Sequence, residues 1–415
     1  MGALLNRMSE DKPAVRATFG GTSDSVAPHR RSALQSIAAG ATVVFVLSMM
    51  FSMAIVQISA VVMMVLWLAT VWRQPRTAGA CRIPFLVPVL VLTAARMVSI
   101  AFSVSPTASL PALWIELAFV PVYFALVRFL RDGTIRPDLL VRLFVVAAMV
   151  AAATGIVRYA FGIAPRASST TSGYYTLGLY LTTALPVILL LGKTMRLPGP
   201  SWSWVAGVGL VAAGLILTMN RLHWVAGAAL VGGIVLWRER RLALPLLVLV
   251  VLAITVVPPV ANRFEELLNV FVDSSGRDVL WRGAGLLAFE HPVTGFGPRT
   301  FSLIFPLYGE LPDKGIGGWH NDYLQSYMES GVIGLTAMLW LFAAIVRSGV
   351  QSIKGTAPGS IERTTVIALL LSLSVFVMVG GFYDAIGGLQ FNLLLALFAI
   401  TIPMSLLQRR APGIT

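Results

Sequence analysis

Long apolar runs separated by short polar segments dominate the chain. A membrane-spanning helix needs about 20 mostly apolar residues, and twelve segments are candidates for such helices. They lie near 34–54, 56–72, 83–103, 112–130, 138–161, 174–192, 204–219, 223–238, 243–260, 320–346, 365–383 and 387–408. The pattern therefore predicts an all-α polytopic membrane protein with about twelve transmembrane helices.

The polar segments divide the chain into five parts. Residues 1–33 form a basic N-terminal tail without the features of a cleaved signal peptide. Residues 34–260 hold the first nine predicted helices, and residues 320–408 hold the last three. Between them, residues 261–319 form a long polar loop, and residues 409–415 form a C-terminal tail.

Composition and charge agree with a membrane protein. Hydrophobic residues make up 57% of the chain and charged residues 12%, against about 25% charged in soluble domains. The net charge is +13, and 22 of the 31 basic residues lie in the predicted segments on the side of the two termini. By the positive-inside rule this distribution places both termini in the cytoplasm. The basic excess is thus an orientation signal in an inner membrane, and nucleic-acid binding is not needed to explain it.

The loop 261–319 contains five of the remaining nine basic residues together with seven acidic ones. Its apolar stretch DVLWRGAGLLAF predicts an ordered loop with short helices that lie on the periplasmic membrane surface. One cysteine and four scattered histidines predict neither a disulfide framework nor a metal site. The chain has no phosphate-binding glycine loop for a nucleotide and no implied cofactor.

The segment GWHNDYLQSYMESGVIGL is the first candidate for chemistry. His320 is suited to proton transfer near neutral pH, and Asn321 and Asp322 are candidate caps of the following helix. Glu329 lies nine residues after His320, about 13 Å deeper on a regular helix, and shares a face with Asp322. An ionisable group at that depth is either functional or a structural anchor of neighbouring helices.

Arginines on the loop side are the second candidate. Arg277 and Arg282 diverge by about 140° on one helix, and arginine is well suited to binding phosphate. The following HPVTGFG run, with Gly295 and Gly297, predicts a tight turn in the loop. Arg221 lies in a very short connection, where it either points into a cavity or reaches lipid headgroups.

These motifs together resemble the signature of the O-antigen ligase and polymerase superfamily. The matching residues, in order, are Arg277, Trp281, His291, Pro292, Gly295, Gly297, His320, Asn321, Leu324, Glu329, Gly331 and Gly334. The resemblance implies a metal-independent glycosyltransferase that uses a glycan linked to undecaprenyl pyrophosphate. It carries the family's loop arginine and histidine over to Arg277 and His320, and its arginine at the end of the seventh span over to Arg221.

From this resemblance we predict an O-antigen ligase, which would transfer the glycan to the lipid A core oligosaccharide. His320 is the predicted base, and Arg277 and Arg282 are predicted to stabilise the pyrophosphate leaving group. Arg221 and the set Asn321, Asp322 and Glu329 are predicted to bind substrate. An O-antigen polymerase and a protein O-oligosaccharyltransferase remain alternatives with the same donor. A lipid-glycan transporter is a further alternative, although no repeat of two similar halves is evident.

Overall fold

The structure is a computed structural model that describes residues 32–73, 84–170, 173–194, 203–268, 276–311, 313, 316–381, 393–399 and 401. Regular structure in these residues is helical, and they contain no strand. Helices satisfy their backbone hydrogen bonds internally, which a bilayer demands of any segment that crosses it. The prediction of an all-α membrane protein is confirmed at this level.

Thirteen helices of more than ten residues occur in the described part of the chain. They are α1 Ala33–Ser48, α2 Met53–Arg73, α3 Leu86–Ala101, α4 Ala112–Arg131, α5 Pro137–Ala160, α6 Gly173–Leu191, α7 Ser203–Leu217, α8 Arg221–Trp237, α9 Ala243–Val256, α10 Pro258–Leu268, α11 Arg277–Leu287, α12 Asp322–Gly355 and α13 Ile361–Gly380. Short helical turns, among them Pro106–Ser109, Phe301–Ile304 and Tyr308–Glu310, connect some of them.

Six helical segments of the described residues are long and apolar enough to cross a membrane: α2, Pro106–Arg131, α5, α6, α12 and α13. The shorter apolar helices α1, α3, α7 and α8 coincide with four further predicted spans. Most of the twelfth predicted span, 387–408, lies outside the described residues. The count of twelve therefore stays a prediction.

The predicted span 243–260 differs from expectation, because it does not continue as one straight helix. The helix that contains α9 is bent by 106° against α10. Val257 at the break is extended, with φ −113° and ψ 93°, as a residue before proline prefers. Pro258 cannot donate the backbone hydrogen bond that would continue α9. The straight helix thus ends at Val256, four residues before the predicted end of the span.

The centre of the bundle is α6, whose residues are buried from Leu177 to Leu191. A helix that is apolar on all sides is expected to be surrounded by other helices. Helices α5, α7, α8 and α13 pack around it, and α12 packs against α3 and α13. We call the side of the bundle where residues 258–320 connect α9 to α12 the loop side. Helices α6, α8 and α12 begin there.

The loop has a hydrophobic core of its own, separate from that of the bundle. Its buried members are Val279, Leu280, Ala284, Leu287, Phe296, Phe301, Phe305, Leu311, Trp319 and Met328. The opposite side of α11 and its continuation expose Trp281, Leu286 and Phe289. Such side chains suit a helix that lies in the headgroup region of a bilayer.

Candidate functional site

His320 lies on the loop side between two firmly held residues. The preceding Trp319 is 1% exposed, and its ring meets those of Phe301 and Phe305 edge-on at 5.0 and 5.7 Å. His320 itself is partly exposed and has a left-handed backbone with φ 47°. A non-glycine residue in this region costs roughly 1–3 kcal/mol and persists only where its surroundings impose it. Such residues cluster at functional sites, so the geometry favours a functional role for His320.

Residue Asn321 is the N-cap of α12. Its side-chain oxygen accepts hydrogen bonds from the amides of Tyr323 and Leu324, both at 3.0 Å. Its amide nitrogen donates to the carbonyl of Gly381 at 2.8 Å. Both ends of this side chain therefore hold the start of α12, which confirms Asn321 as a cap.

The two residues after Asn321 join α12 to the end of α13. Asp322 is 3% exposed and packs so closely on Gly380 that a Cβ there would lie 2.7 Å from Asp322 Oδ2. The Tyr323 hydroxyl donates to the carbonyl of Val377 at 2.7 Å. The tip of α13 thus supports the backbone that carries His320.

A chain of hydrogen bonds connects Glu329 to the residue before His320. The amide of Trp319 donates to Gln325 Oε1 at 3.1 Å, and Gln325 Nε2 donates to Glu329 Oε1. The same carboxylate oxygen accepts the backbone amide of Arg299 at 3.2 Å. Because α12 begins only at Asp322, Glu329 lies about 10 Å along the helix, less than the 13 Å predicted from His320. Its position one helix turn from Gln325 makes it a candidate positioning residue for His320.

Helix α12 is interrupted at Gly331, two residues after Glu329. Gly331 has φ 63° and ψ −167°, and a Cβ there would lie 2.0 Å from the carbonyl oxygen of Val293. Only glycine fits this conformation and this close approach. The interruption leaves backbone groups of α12 without helical partners, and the loop supplies the partners.

The turn formed by residues 291–297 fills that gap. The amides of Phe296 and Gly297 donate to the carbonyls of Met328 and Glu329 at 2.8 and 3.1 Å, and the amide of Val332 donates to Pro292 at 2.8 Å. These turn amides are therefore engaged by protein carbonyls. The predicted tight turn at Gly295 and Gly297 is confirmed, and it serves to attach the loop to α12.

Three serines, which we call the serine clamp, fix this turn from the other side. They are Ser99 at the end of α3, and Ser103 and Ser109 beyond it. The Ser99 hydroxyl donates to the Glu329 carbonyl, and that of Ser109 donates to the Pro298 carbonyl at 2.7 Å. Ser103 Oγ lies 2.7 Å from Ser109 Oγ and 3.1 Å from the Phe296 carbonyl. Isolated serines near a helix end form no distinctive sequence pattern, so the clamp could not be predicted from the sequence.

The two arginines of α11 have different surroundings. Arg277 is the first residue of the helix and is partly buried. Arg282 has a side chain that is 58% exposed, and it forms an ion pair with Glu310 at 2.8 Å. Exposed ion pairs of this kind contribute about 0–1 kcal/mol. The structure thus places Arg277 nearer the protein interior and Arg282 on its surface.

Arg221 is the first residue of α8 rather than the last residue of the preceding helix. Its guanidinium points to α10, where it donates to the Glu266 carbonyl at 3.3 Å and lies 3.7 Å from the Glu266 carboxylate. Arg263, one turn earlier on α10, pairs with the same carboxylate. Arg221, Arg263 and Glu266 therefore form one charged group at the loop side.

A third arginine belongs to the same neighbourhood. Arg166 stacks on the ring of Tyr174 at 4.6 Å, and the charges of both Arg166 and Arg263 act on the Tyr174 hydroxyl. These three arginines carry three positive charges against the one negative charge of Glu266, so the four side chains together are net positive. They come from the α5–α6 connection, α8 and α10. We call Arg166, Arg221 and Arg263 the arginine cluster; Arg166 and Arg263 were not among the predicted site residues.

One family of known proteins matches part of this chain. Residues 206–339 match the family described as O-antigen ligase. The matched segment runs from α7 into α12 and contains Arg221, Arg277, Arg282 and His320. The chain matches no curated protein. The match supports the resemblance to the O-antigen ligase and polymerase superfamily, whose members are membrane glycosyl-transfer enzymes.

Proposed function

We propose that this member of the O-antigen ligase and polymerase superfamily is a ligase that transfers a glycan from undecaprenyl pyrophosphate to the lipid A core oligosaccharide. The observation that carries the proposal is His320 itself. It is held in a left-handed conformation between the buried Trp319 and the helix cap Asn321, within the segment that matches the family. We place this reaction on the periplasmic face of the inner membrane.

The positive charges suit the proposed leaving group. Departure of a lipid pyrophosphate leaves negative charge on its oxygens, and fixed cations near them stabilise the transition state. Arg277 at the N-terminus of α11 and Arg221 in the arginine cluster are the side chains that we assign to this charge. Their guanidinium groups stay protonated at any physiological pH. In this arrangement the arginine side chains supply the positive charge that stabilises the leaving group.

The bond changes of the reaction follow from these assignments. His320 takes the proton from an acceptor sugar hydroxyl while that oxygen forms a bond to the anomeric carbon of the donor glycan. The bond between this carbon and the pyrophosphate oxygen breaks, and the electron pair leaves with undecaprenyl pyrophosphate. Attack opposite the leaving group inverts the anomeric carbon. Glu329 supports the step indirectly, through Gln325 and the backbone before His320.

The test is glycan transfer by purified protein in proteoliposomes that contain the lipid-linked donor and a lipid A core acceptor. We expect His320→Ala and Arg277→Ala to lose most of the transfer rate, and Arg221→Ala to raise the donor KM. Arg347→Ala, on the exposed side of α12 away from the loop side, is the matched control. Wild-type rates in all three site variants would refute the mechanism.

The acceptor distinguishes the proposal from its alternatives. Extension of a glycan that is still attached to its lipid carrier would identify a polymerase, and modification of a serine or threonine would identify a protein oligosaccharyltransferase. Movement of the lipid-linked glycan across the bilayer without any transfer would show a transporter and refute enzymatic function. A requirement for a divalent cation in the purified protein would contradict the metal-independent mechanism.

A further inference from the structure

A polar pocket lies at the end of the bundle opposite the loop side. Thr170, in the α5–α6 connection on the loop side, donates to the Met50 carbonyl at 3.1 Å. Helix α1 therefore ends at the loop side and begins at the opposite side. Its start meets the ends of α2 and α4 there, and the pocket between them is lined by Ser32, Arg73 and Arg128 among others. We call it the far-side pocket.

The far-side pocket is small and has a buried floor. Its volume is about 180 Å³, the space of about six water molecules at roughly 30 Å³ each. Sites for drug-sized molecules usually measure about 300–1,000 Å³, so a nucleotide or an oligosaccharide does not fit. Ala38 and Phe129, each 1% exposed, are apolar lining residues. The pocket is sized for one compact polar group.

The charged side chains of the pocket have a net positive charge. Arg128 has a side chain that is 11% exposed, and it pairs with Asp132 at 2.5 Å. Arg73 also lines the pocket, and no carboxylate of the described residues forms an ion pair with it. Burial raises the pKa of the Asp132 carboxyl, against the lowering effect of Arg128. Two arginines against one aspartate leave one positive charge for an anion to balance.

The start of α1 adds backbone donors to this charge. A capping box between Ser32 and Gln35 satisfies the amides of these two residues. The amides of Ala33 and Leu34, the other donors of the first turn, have no acceptor among the described residues. A helix N-terminus attracts negative charge through such amides and through the helix dipole. Backbone and arginines thus favour the same kind of ligand.

The pocket lies at the depth of lipid headgroups. Trp72, next to Arg73 at the end of α2, is 87% exposed. Tryptophan and arginine at the ends of membrane helices mark the interface between the bilayer and water. Basic pockets between helices at this level are suited to the phosphates of anionic lipids.

We propose that the far-side pocket binds one phosphate group with a net negative charge, in an anionic phospholipid headgroup or as a free phosphate ion. Arg73 supplies the unbalanced positive charge, and the first-turn amides of α1 donate to the phosphate oxygens. The bound phosphate joins the ends of α1, α2 and α4, which pack against one another. The site is independent of the proposed glycan transfer, because it lies at the end of the bundle opposite His320.

The first test is native mass spectrometry of the full chain, titrated in detergent with phosphatidylglycerol or phosphatidylcholine. We expect the wild type to bind one phosphatidylglycerol tightly and phosphatidylcholine weakly. Arg73 is exposed, so Arg73→Gln leaves the packing intact and is expected to weaken phosphatidylglycerol binding about fivefold. Arg142→Gln is the matched control: it removes one positive charge near the start of α5, and Arg142 does not line the pocket.

A second variant keeps every charge and fills the pocket. Thr70 lines it, whereas its neighbour Ala69 on α2 does not. We expect Thr70→Leu to weaken phosphatidylglycerol binding about as much as Arg73→Gln, and Ala69→Leu to bind like wild type. Equal binding by the wild type, Arg73→Gln and Thr70→Leu would overturn the proposal. An equally large loss in Arg142→Gln or Ala69→Leu would also overturn it.

Thermal unfolding in phosphatidylcholine nanodiscs distinguishes the two sources of the phosphate. A rise of about 2–4 °C in melting temperature when phosphatidylglycerol is included identifies a lipid headgroup, since a ligand of the folded state stabilises it. The same rise with millimolar inorganic phosphate identifies the free ion. In either case Arg73→Gln is expected to abolish the rise. No rise with either addition, or an equal rise in Arg73→Gln, would refute the site.

Discussion

Replacing Gln325 with leucine removes the link between Glu329 and the backbone before His320. Leucine fills a similar volume but can neither accept the Trp319 amide hydrogen bond nor donate to Glu329 Oε1. Gln325 is partly buried on the first turn of α12. It is also not one of the arginines to which we assign binding of the donor pyrophosphate. The substitution therefore tests positioning rather than chemistry.

The size of the effect follows from the two hydrogen bonds. A neutral hydrogen bond contributes about 0.5–1.5 kcal/mol net, and one to a charged group about 1.5–3 kcal/mol. Their sum is comparable to the roughly 1–3 kcal/mol that the left-handed conformation of His320 costs. Without Gln325 we therefore expect His320 to leave this conformation for part of the time. A loss of about 1.4 kcal/mol corresponds to a tenfold smaller rate.

The assay is steady-state glycan transfer in proteoliposomes over a range of donor concentrations. We expect kcat of Gln325→Leu to fall about tenfold while the donor KM stays within about twofold, since the arginines are untouched. Gln351→Leu is the matched control, because Gln351 is an exposed residue at the other end of the same helix. An unchanged kcat in Gln325→Leu, together with an inactive His320→Ala, would refute the positioning argument.

Three further predictions concern the same region. Gly297→Ala places a Cβ 2.1 Å from Ser103 Oγ at φ +96°, so we expect thermal unfolding to show a free energy of unfolding that is about 2–3 kcal/mol lower. Gly309→Ala, with open space around its Cβ, is the control. Equal melting temperatures of the two variants would contradict the close contact between Gly297 and Ser103. Arg282→Ala is expected to change the free energy of unfolding by less than about 1 kcal/mol and to leave the transfer rate nearly unchanged. A loss of transfer rate as large as that of Arg277→Ala would instead show that Arg282 contacts the donor, as the sequence predicts. His320→Gly and His320→Ala should both be inactive. The glycine variant should be more stable than the alanine variant by about 1 kcal/mol, because glycine adopts the left-handed backbone without the steric cost of a Cβ. A less stable glycine variant would show that no strain is stored at this residue.

Several features of the site could be predicted from the sequence because they depend on neighbouring residues. The apolar runs predict membrane helices, and the periodicity of DVLWRGAGLLAF predicts the helix now seen at Arg277–Leu287. Asn321 before an apolar run predicts a helix cap, and the glycines of HPVTGFG predict a turn. These signals extend over one or two helix turns, where local geometry decides the structure.

Other features depend on which helices pack together. Ser99 and Glu329 are 230 positions apart yet share a hydrogen bond, and Arg166, Arg221 and Arg263 come from three separate segments. The direction of α10 across the loop side likewise depends on the 106° bend at Pro258.

By itself the sequence determined that the chain is helical and membrane-embedded, and it identified His320 and Arg277 as candidates within a recognisable family signature. Only the tertiary structure decided how these residues are held. It assigned Gln325, Glu329 and the serine clamp to the support of the loop, and it brought Arg166, Arg221 and Arg263 together from three separate segments. The physical reason is that periodicity reports the environment of one helix, whereas contacts between distant segments arise only when the whole bundle packs.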